Sequence, residues 1–344
     1  MVTPISVYLD LNHWYVLSDA EAGKPRRAAD IAILEQLKAL VAAGSVISPL
    51  SAVHYMEVTE NPRDQQRHEV ADVMAAISRF RTLASYTKIL EEELDIQLNA
   101  RFGRPAQVRT TPKFGDGFGF AFGKPGRFQI RGNADAMVRL TSEQLAQLAA
   151  FENEANALAE WMMIGGPFSE VRRTIPGYEP YAARQVADQE MDRIRRMVNN
   201  LRGDPSLYRR LDDVLAAQEY VGELPELLTQ ALERAGLRQN EWLTTRDDLT
   251  AFLLALPSRR VSVAIKGRYL QDLNHNWTVN DLRDIMALSI AVPYCDVVVT
   301  DRQVCDAVTR AGLDATFGTT VLRSLDALAT HLAQTVGRGP HGGP

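Results

Sequence analysis

One stretch, Trp277 to Val308, constrains the fold more than any other part of the chain. It opens with helical spacing, because Thr278 can cap a helix and Asp281 follows three residues later, as in a capping box. Pro293 ends the predicted helix. The short apolar run 296–301 then has the composition of a strand that is buried on both faces of a parallel sheet. A helix that leads into such a strand predicts an α/β fold.

This stretch carries carboxylates on its predicted helix and at the end of its predicted strand. Asp281 and Asp284 lie one turn apart on the predicted helix, and Asp301 lies at the carboxyl end of the predicted strand. Open α/β sheets place their functional sites at the carboxyl ends of their strands. The pattern therefore predicts acidic groups that converge at one edge of the sheet.

The start of the chain contains a second strand of this kind. Residues 5–10 form an apolar run that ends on Asp10. A helical pattern over 26–43 and a short strand at 46–48 follow, and a right-handed crossover makes the two strands parallel. An aspartate at a strand end can simply cap the next helix. Two such strands, together with an acid-bearing helix, favour a shared acidic site.

The second strand leads into another helix with polar groups on one face. Ser51 is the predicted cap, and His54 and Glu57 lie on the same side of the helix. Either residue alone is typical of an ordinary helix, His54 as a buried structural histidine and Glu57 as a solvated side chain. In this context, Glu57 would bring a further carboxylate to the edge that holds Asp10.

Composition limits the class of protein. The chain has 344 residues, of which 46% are hydrophobic and 24% are charged, as expected for a globular protein with a large core. The start lacks a basic signal region and no apolar run is long enough for a membrane span, so we expect a cytoplasmic protein with no membrane association. The net charge of −5 means that basic contacts with a nucleic acid would have to be local.

The composition of the sequence changes in its middle part. We predict a first half of the core at 1–98, a mainly helical insertion at 99–252, a second half of the core at 253–336 and a disordered tail at 337–344. Within the insertion, the Gly- and Phe-rich stretch 113–126 is interpreted as a loop or hairpin whose phenylalanines pack against the insertion. The alternative is that these rings stack on unpaired nucleotides.

A basic set lies just before the acidic helix. Its members share a short segment that is close in sequence to the predicted site, and they are the first choice for holding a phosphate backbone: Arg259, Arg260, Lys266 and Arg268.

Taken together, these motifs resemble the PIN domain, a family of metal-dependent ribonucleases. The resemblance is carried by Asp10, Glu57, the small-residue helix that begins at Asp284, and the Val-Val-Val-Thr-Asp strand end at Asp301. The last two acids have the family's spacing of about 17 residues. The resemblance covers about residues 5–95 and 255–335, and the helical insertion has no counterpart in a compact PIN domain.

The resemblance implies a three-layer α/β/α fold with a central, mostly parallel sheet. It also implies an endoribonuclease that uses Mg²⁺ or Mn²⁺, with Asp10 and Asp301 as direct ligands and Glu57 and Asp284 as ligands directly or through water. Asp281 would assist a second ion. Many family members carry the second acid where this chain has His54, so the ligand is Glu57 or, second in order, His54. Asn12 and Thr300 would orient the ligands.

The resemblance leaves several alternatives open. The core could be a catalytically silent RNA-binding or regulatory module, and in biological role it could be a toxin with an antitoxin partner or a phage-defence effector. The expected partner is RNA, single-stranded or structured, and a homodimer is implied by the family alone. A haloacid-dehalogenase-type phosphatase would need an aspartate at position 12, where this chain has Asn12, and the dinucleotide glycine fingerprint is missing.

Overall fold

The computed structural model describes residues 3–102, 108, 110–124, 129–130, 140–176, 182–222, 224–237 and 245–336. These residues form a mixed α/β structure in which helices predominate. The predicted tail at 337–344 lies outside the described residues, as do several pieces of the predicted insertion. No helix in the described ranges is long and apolar enough to cross a membrane.

A parallel sheet of four strands forms the centre of the fold, as the α/β prediction requires. Its strands are β1 (Ile5–Leu9), β2 (Val46–Ile47), β5 (Val297–Val299) and β6 (Thr320–Leu322), in the order β2-β1-β5-β6. Strands β3 (Arg81–Leu83) and β4 (Phe114–Asp116) form an antiparallel pair. This pair adjoins the segment after β2, because Leu83 N–H donates to the Leu50 carbonyl at 2.7 Å.

The first and second parts of the chain meet in the middle of this sheet. Strand β1 pairs with β2 on one side and with β5 on the other, and Leu9 is in register with Val299. The Asp10 N–H donates to the Val299 carbonyl at 3.0 Å. Asp10 and Thr300 therefore leave the sheet side by side, at the point where the strand order reverses.

Helices connect and cover the strands. Those in the first part are α1 (Leu11–Glu21), α2 (Ala28–Ala42), α3 (Ala52–Glu60), α4 (Asp64–Ser78), α5 (Tyr86–Phe102) and α6 (Gly117–Ala121). The middle part contains α7 (Ser142–Gly165), α8 (Ser169–Arg172), α9 (Ala182–Gly203), α10 (Pro205–Tyr208), α11 (Leu211–Gly222), α12 (Pro225–Ala235) and α13 (Arg246–Leu254). The last part contains α14 (Pro257–Leu270), α15 (Val279–Tyr294), α16 (Arg302–Arg310), α17 (Leu313–Phe317) and α18 (Leu325–Val336).

Both faces of the sheet are packed. Val7, Leu9 and Val299 belong to one buried hydrophobic cluster, whereas Tyr8 and Val298 belong to another. Successive side chains of a strand point to opposite faces, so each cluster covers one face of the sheet. The continuous apolar run Val297–Val299 is fully buried because it has a core on either side.

The chain turns sharply after α4. This helix ends at Ser78, and Arg79 and Phe80 adopt positive φ angles of 49° and 58°. These left-handed residues cannot continue a right-handed helix. They turn the chain into β3, which pairs with β4.

The described residues of the Gly- and Phe-rich stretch, predicted as a loop or hairpin, form strand β4 and the short helix α6. Phe118 and Phe122 pack edge-on against Tyr55 of α3, which lies in the first half of the predicted core and not in the insertion. Gly117 has φ +82°, and a Cβ atom there would lie 2.1 Å from a carboxylate oxygen of Glu160. The phenylalanines of this stretch are half-buried and pack against the two hydrophobic clusters that cover the sheet.

Candidate acidic site

Asp10 both caps a helix and faces other acids. Its Oδ1 accepts a hydrogen bond from the Leu11 N–H at 2.6 Å, and the residue is 7% exposed. Burial raises the pKa of Asp10 to about 6, the Leu11 N–H acts against this, and the Asp301 carboxylate adds to it. The capping role therefore does not exclude a role in an acidic site.

The end of β5 supplies a second carboxylate and a hydroxyl. Asp301 caps α16, since its Oδ1 accepts from the Val304 N–H at 2.9 Å, and its side chain is exposed. Thr300 is fully buried beside Asp10. The Thr300 hydroxyl is close enough to lower the pKa of Asp10. Within the described residues it nevertheless makes no hydrogen bond of normal geometry.

Glu57 and Asp284 project from helices α3 and α15 toward the same edge. Burial raises the pKa of Glu57 to about 7, with Arg283 acting against it and Asp10 adding to it. Burial also raises the pKa of Asp284 to about 9, and the repulsion of Asp10, Glu57, Asp301 and Asp281 adds to that effect. Like charges oppose each other's ionisation, and Asp10, Glu57 and Asp301 lie near enough to Asp284 to raise its pKa.

The structure thus brings the four predicted acids into one electrostatic cluster, which we call the acidic site: Asp10, Glu57, Asp284 and Asp301. Among the described residues, no three His, Cys, Asp or Glu side chains are arranged so that they could hold a metal ion as they stand.

Asp281 has a local structural role beside this cluster. Its Oδ2 accepts from the Thr278 N–H at 2.6 Å and from the Thr278 hydroxyl at 2.9 Å, which completes the capping box of α15. The His275 Nε2 atom lies 3.3 Å from the same oxygen. An ion bound by Asp281 would have to compete with these contacts.

His54 is built into the fold and is not presented to the acidic site as a ligand. Its Nδ1 accepts from the Ser51 N–H at 3.0 Å, so Nε2 carries the proton and donates to the Leu9 carbonyl at 3.0 Å. The ring is 1% exposed, and burial lowers its pKa to about 4. Of the two alternatives for the ligand on α3, Glu57 is the one that interacts with the other acids. His54 instead fixes the strand end before Asp10.

Other side chains around the acidic site were not singled out from the sequence. Arg283 lies near enough to Glu57 to lower its pKa, and its Nη1 donates to Glu60 at 3.1 Å. Burial raises the pKa of Tyr269, and Asp301 and Asp284 raise it further. His13 stands one turn after Asp10, where burial lowers its pKa. Arg283 directly precedes Asp284 in the sequence, so its position could have been noticed there. Tyr269 lies on a different helix, α14, and only the structure shows that it is near these acids.

The predicted basic set divides in the structure. Arg259 and Lys266 are 1% and 3% exposed, and both contact the buried carboxylate of Glu219. Arg260 is exposed, and Arg268 donates to the Gln271 side chain. As they stand, Arg259 and Lys266 are not placed to contact an RNA backbone, because they hold an internal ion cluster. Asn12, which would orient ligands, is exposed on α1.

In comparisons with known proteins, the chain matches no family model, no curated protein and no solved structure.

Proposed function

We propose that this protein is a metal-dependent nuclease that hydrolyses phosphodiester bonds, with RNA as its substrate. The observation that carries the proposal is the acidic site: Asp10 and Asp301 follow two adjacent parallel strands, and the carboxylates of Asp10, Glu57 and Asp301 all raise the pKa of Asp284. The PIN-like three-layer arrangement is part of the proposal, and it is supported by the parallel sheet and by the position of the acids on it. The choice of RNA over DNA comes from the family resemblance.

The donors at this site suit Mg²⁺ or Mn²⁺ in their chemistry. Both ions prefer carboxylate and water oxygens. Asp10 and Asp301 would hold the ion directly, and Glu57 and Asp284 would do so directly or through water. The Thr300 hydroxyl, buried and without a normal hydrogen bond among the described residues, fits a role in orienting a ligand. A bound ion would activate water and stabilise negative charge on the phosphate.

The protein's own residues prepare the acidic site in two ways. The hydrogen bonds from Leu11 to Asp10 and from Val304 to Asp301 fix the two strand-end carboxylates relative to the helices that they cap. Arg283, held by Glu60, lies beside Glu57 and lowers its pKa against the effect of burial. Asp301 is exposed, so the site is open to a large substrate on that side.

The test is cleavage of a panel of end-labelled and circular RNA and DNA by the purified protein in Mn²⁺, Mg²⁺ or EDTA. We expect metal-dependent cutting that falls at least about 100-fold in Asp10→Asn and in Asp301→Asn. Cutting of circular RNA would identify an endonuclease. Asp192→Asn is the control, because Asp192 is 64% exposed on α9 and contacts Arg195.

Three results would contradict the proposal. Cutting that persists in EDTA would exclude a role for the metal, and wild-type rates in Asp10→Asn would exclude the acidic site. RNA binding without cleavage by folded protein in Mn²⁺ would favour the silent RNA-binding module.

A further inference from the structure

A cavity of about 540 Å³ lies on another side of helix α15 from the acidic site. Its wall combines residues from α3 and α5 in the first part of the chain, α9 in the middle and α14 and α15 in the last part. Leu282, Met286 and Ser289 of α15 line it, whereas Asp284 of the same helix belongs to the acidic site. Cavities between separate parts of a fold are common places for small ligands, and this volume is within the usual range of 300–1,000 Å³.

The wall of the cavity carries more positive than negative groups. Arg193, Arg259, Lys266 and Arg283 line it, against the single carboxylate of Glu190. The carboxylates that contact three of these cations, Glu219 and Glu60, are not among the lining residues. A ligand in the cavity would therefore contact these cations and not the carboxylates that pair with them.

Two of the cations in the wall, Lys266 and Arg259, are held in place by buried contacts. Lys266 Nζ lies 2.8 Å from Glu219, and the Arg259 guanidinium lies 4.4 Å from the centre of the Tyr86 ring. Ser262 donates to the same glutamate at 2.9 Å. Groups that are already fixed lose little entropy when a ligand binds, so this part of the wall is preorganised.

Arg193 is the most accessible cation of the wall. Its side chain is 43% exposed, and its Nη1 donates to Glu190 at 3.0 Å. A guanidinium has five N–H donors, and one of them takes part in that contact within the described residues. Arg193 can therefore offer a forked pair of donors, which matches the geometry of a phosphate.

The rest of the wall is mainly apolar. Met56, Leu227, Ile285 and Met286 line the cavity together with the Tyr86 ring. A bare inorganic anion would leave these surfaces without contacts, whereas a ring-shaped body attached to the anion would cover them. Apolar walls with a few fixed polar groups are typical of small-molecule sites.

We propose that this cavity binds a phosphorylated small molecule that has a ring-shaped, partly apolar body, of which a nucleoside 5′-monophosphate is the simplest example. The phosphate would lie against Arg193, the most accessible cation of the wall, and the ring would lie among the methionine and leucine side chains. The proposal does not depend on nuclease activity.

The test is isothermal titration calorimetry of the full chain in EDTA, so that no metal can hold the ligand at the acidic site. The probes are adenosine and uridine 5′-monophosphate, the two uncharged nucleosides, ribose 5-phosphate and inorganic phosphate. We expect saturable binding of one nucleotide per chain, at least about tenfold tighter than that of the nucleoside, the sugar phosphate or phosphate alone.

Two variants test the cavity through different physical effects. Arg193→Gln removes charge from the wall, and Ala187→Phe places a ring in the cavity. Each should weaken nucleotide binding at least about tenfold. Arg195→Gln is the matched control, since Arg195 lies on the same helix and contacts Asp192 at 3.0 Å just as Arg193 contacts Glu190. It should bind as the wild type does.

The proposal is overturned if the folded wild-type protein binds neither nucleotide saturably. Binding that survives both cavity variants would place the ligand elsewhere. Equal affinity for phosphate and nucleotide would contradict the role of the apolar wall.

Discussion

Carboxylates are buried in two regions of the protein, but Glu219 is surrounded by positive groups whereas the acids of the acidic site are near other carboxylates. Glu219 is 1% exposed and accepts from Arg259 at 2.5 Å, from Lys266 at 2.8 Å and from Ser262. In the acidic site, Asp10 and Asp284 face further carboxylates, and burial raises the pKa of both.

The difference separates a structural ion cluster from the site that we propose binds a metal ion. A buried charge is tolerated when a partner and hydrogen bonds replace the lost water, and it is costly when they do not. The contacts of Glu219 supply that replacement from within the fold. We expect repulsion in the acidic site to lower the stability of the metal-free protein, and a cation from solution would relieve it. The two regions should therefore respond in opposite ways when a carboxylate is neutralised.

The largest effect is expected at Glu219. Replacing it in Glu219→Gln leaves Arg259 and Lys266 buried without their shared carboxylate, and breaking a buried pair in this way costs about 3–5 kcal/mol. Chemical denaturation should show that loss in the free energy of unfolding. Glu233→Gln, at an exposed position on α12, is the control and should change stability by less than about 0.5 kcal/mol. A loss below about 1 kcal/mol at Glu219 would mean that the cluster is not a structural element.

Metal binding should stabilise the acidic site by a smaller amount. A ligand that binds the folded state alone, at 100 times its Kd, adds about 2.7 kcal/mol. Mn²⁺ should therefore raise the Tm of the wild-type protein, and Asp10→Asn should remove most of that shift. An equal shift in both proteins would place the ion outside the acidic site.

Neutralising Asp284 should stabilise the metal-free protein, in contrast to Glu219. Burial raises the pKa of Asp284 from an ordinary value near 3.8 to about 9. Between these values the folded protein retains a proton that the unfolded chain has released, so stability falls as the pH rises. In EDTA, Asp284→Asn should be about as stable as the wild type near pH 4 and more stable by about 1–2 kcal/mol at pH 8.

Chemical denaturation of the wild-type protein and of Asp284→Asn over this pH range measures the difference in their free energies of unfolding. The same slope should appear, with a smaller amplitude, for Asp10, whose pKa is raised to about 6. A wild-type stability that does not change between pH 5 and 8, or an Asp284→Asn variant that is less stable than the wild type at pH 8, would show that burial and repulsion do not raise the pKa of Asp284.

The acidic site was largely predictable from the sequence because its signals are local. Each acid follows a short apolar run or lies on a helix with a clear cap, and parallel strands bring their carboxyl ends to one edge. Strand β3 was not predictable in this way. The turn at Arg79 and Phe80 and the pairing of β3 with β4 depend on residues about 35 positions further along the chain.

The internal ion cluster was hidden for a similar reason. Arg259 is 40 residues and Lys266 is 47 residues from Glu219, and both cations lie in a basic segment that reads as solvent-exposed. Arg283 and Glu60 are separated by 223 residues. Charge density in a sequence does not show which charges will meet, so the same pattern fits an RNA-binding surface and a buried cluster.

The smallest effect on stability is expected at Thr300. Its hydroxyl is fully buried and makes no hydrogen bond of normal geometry within the described residues, so Thr300→Val should change the free energy of unfolding in EDTA by less than about 1 kcal/mol. The hydroxyl lowers the pKa of Asp10, and its loss should therefore reduce the Mn²⁺-induced rise in Tm.

Thr319→Val is the matched control for this step. Thr319 is also buried, but its hydroxyl donates to the Val292 carbonyl at 2.5 Å, so its removal should cost about 1–3 kcal/mol and leave the response to Mn²⁺ unchanged. Comparing the two variants distinguishes the Thr319 hydroxyl, which stabilises the fold through a hydrogen bond, from the Thr300 hydroxyl, which we propose helps to orient a metal ligand. If both variants lose the same stability and keep the same Mn²⁺ response, Thr300 is an ordinary core residue and the acidic site consists of carboxylates alone.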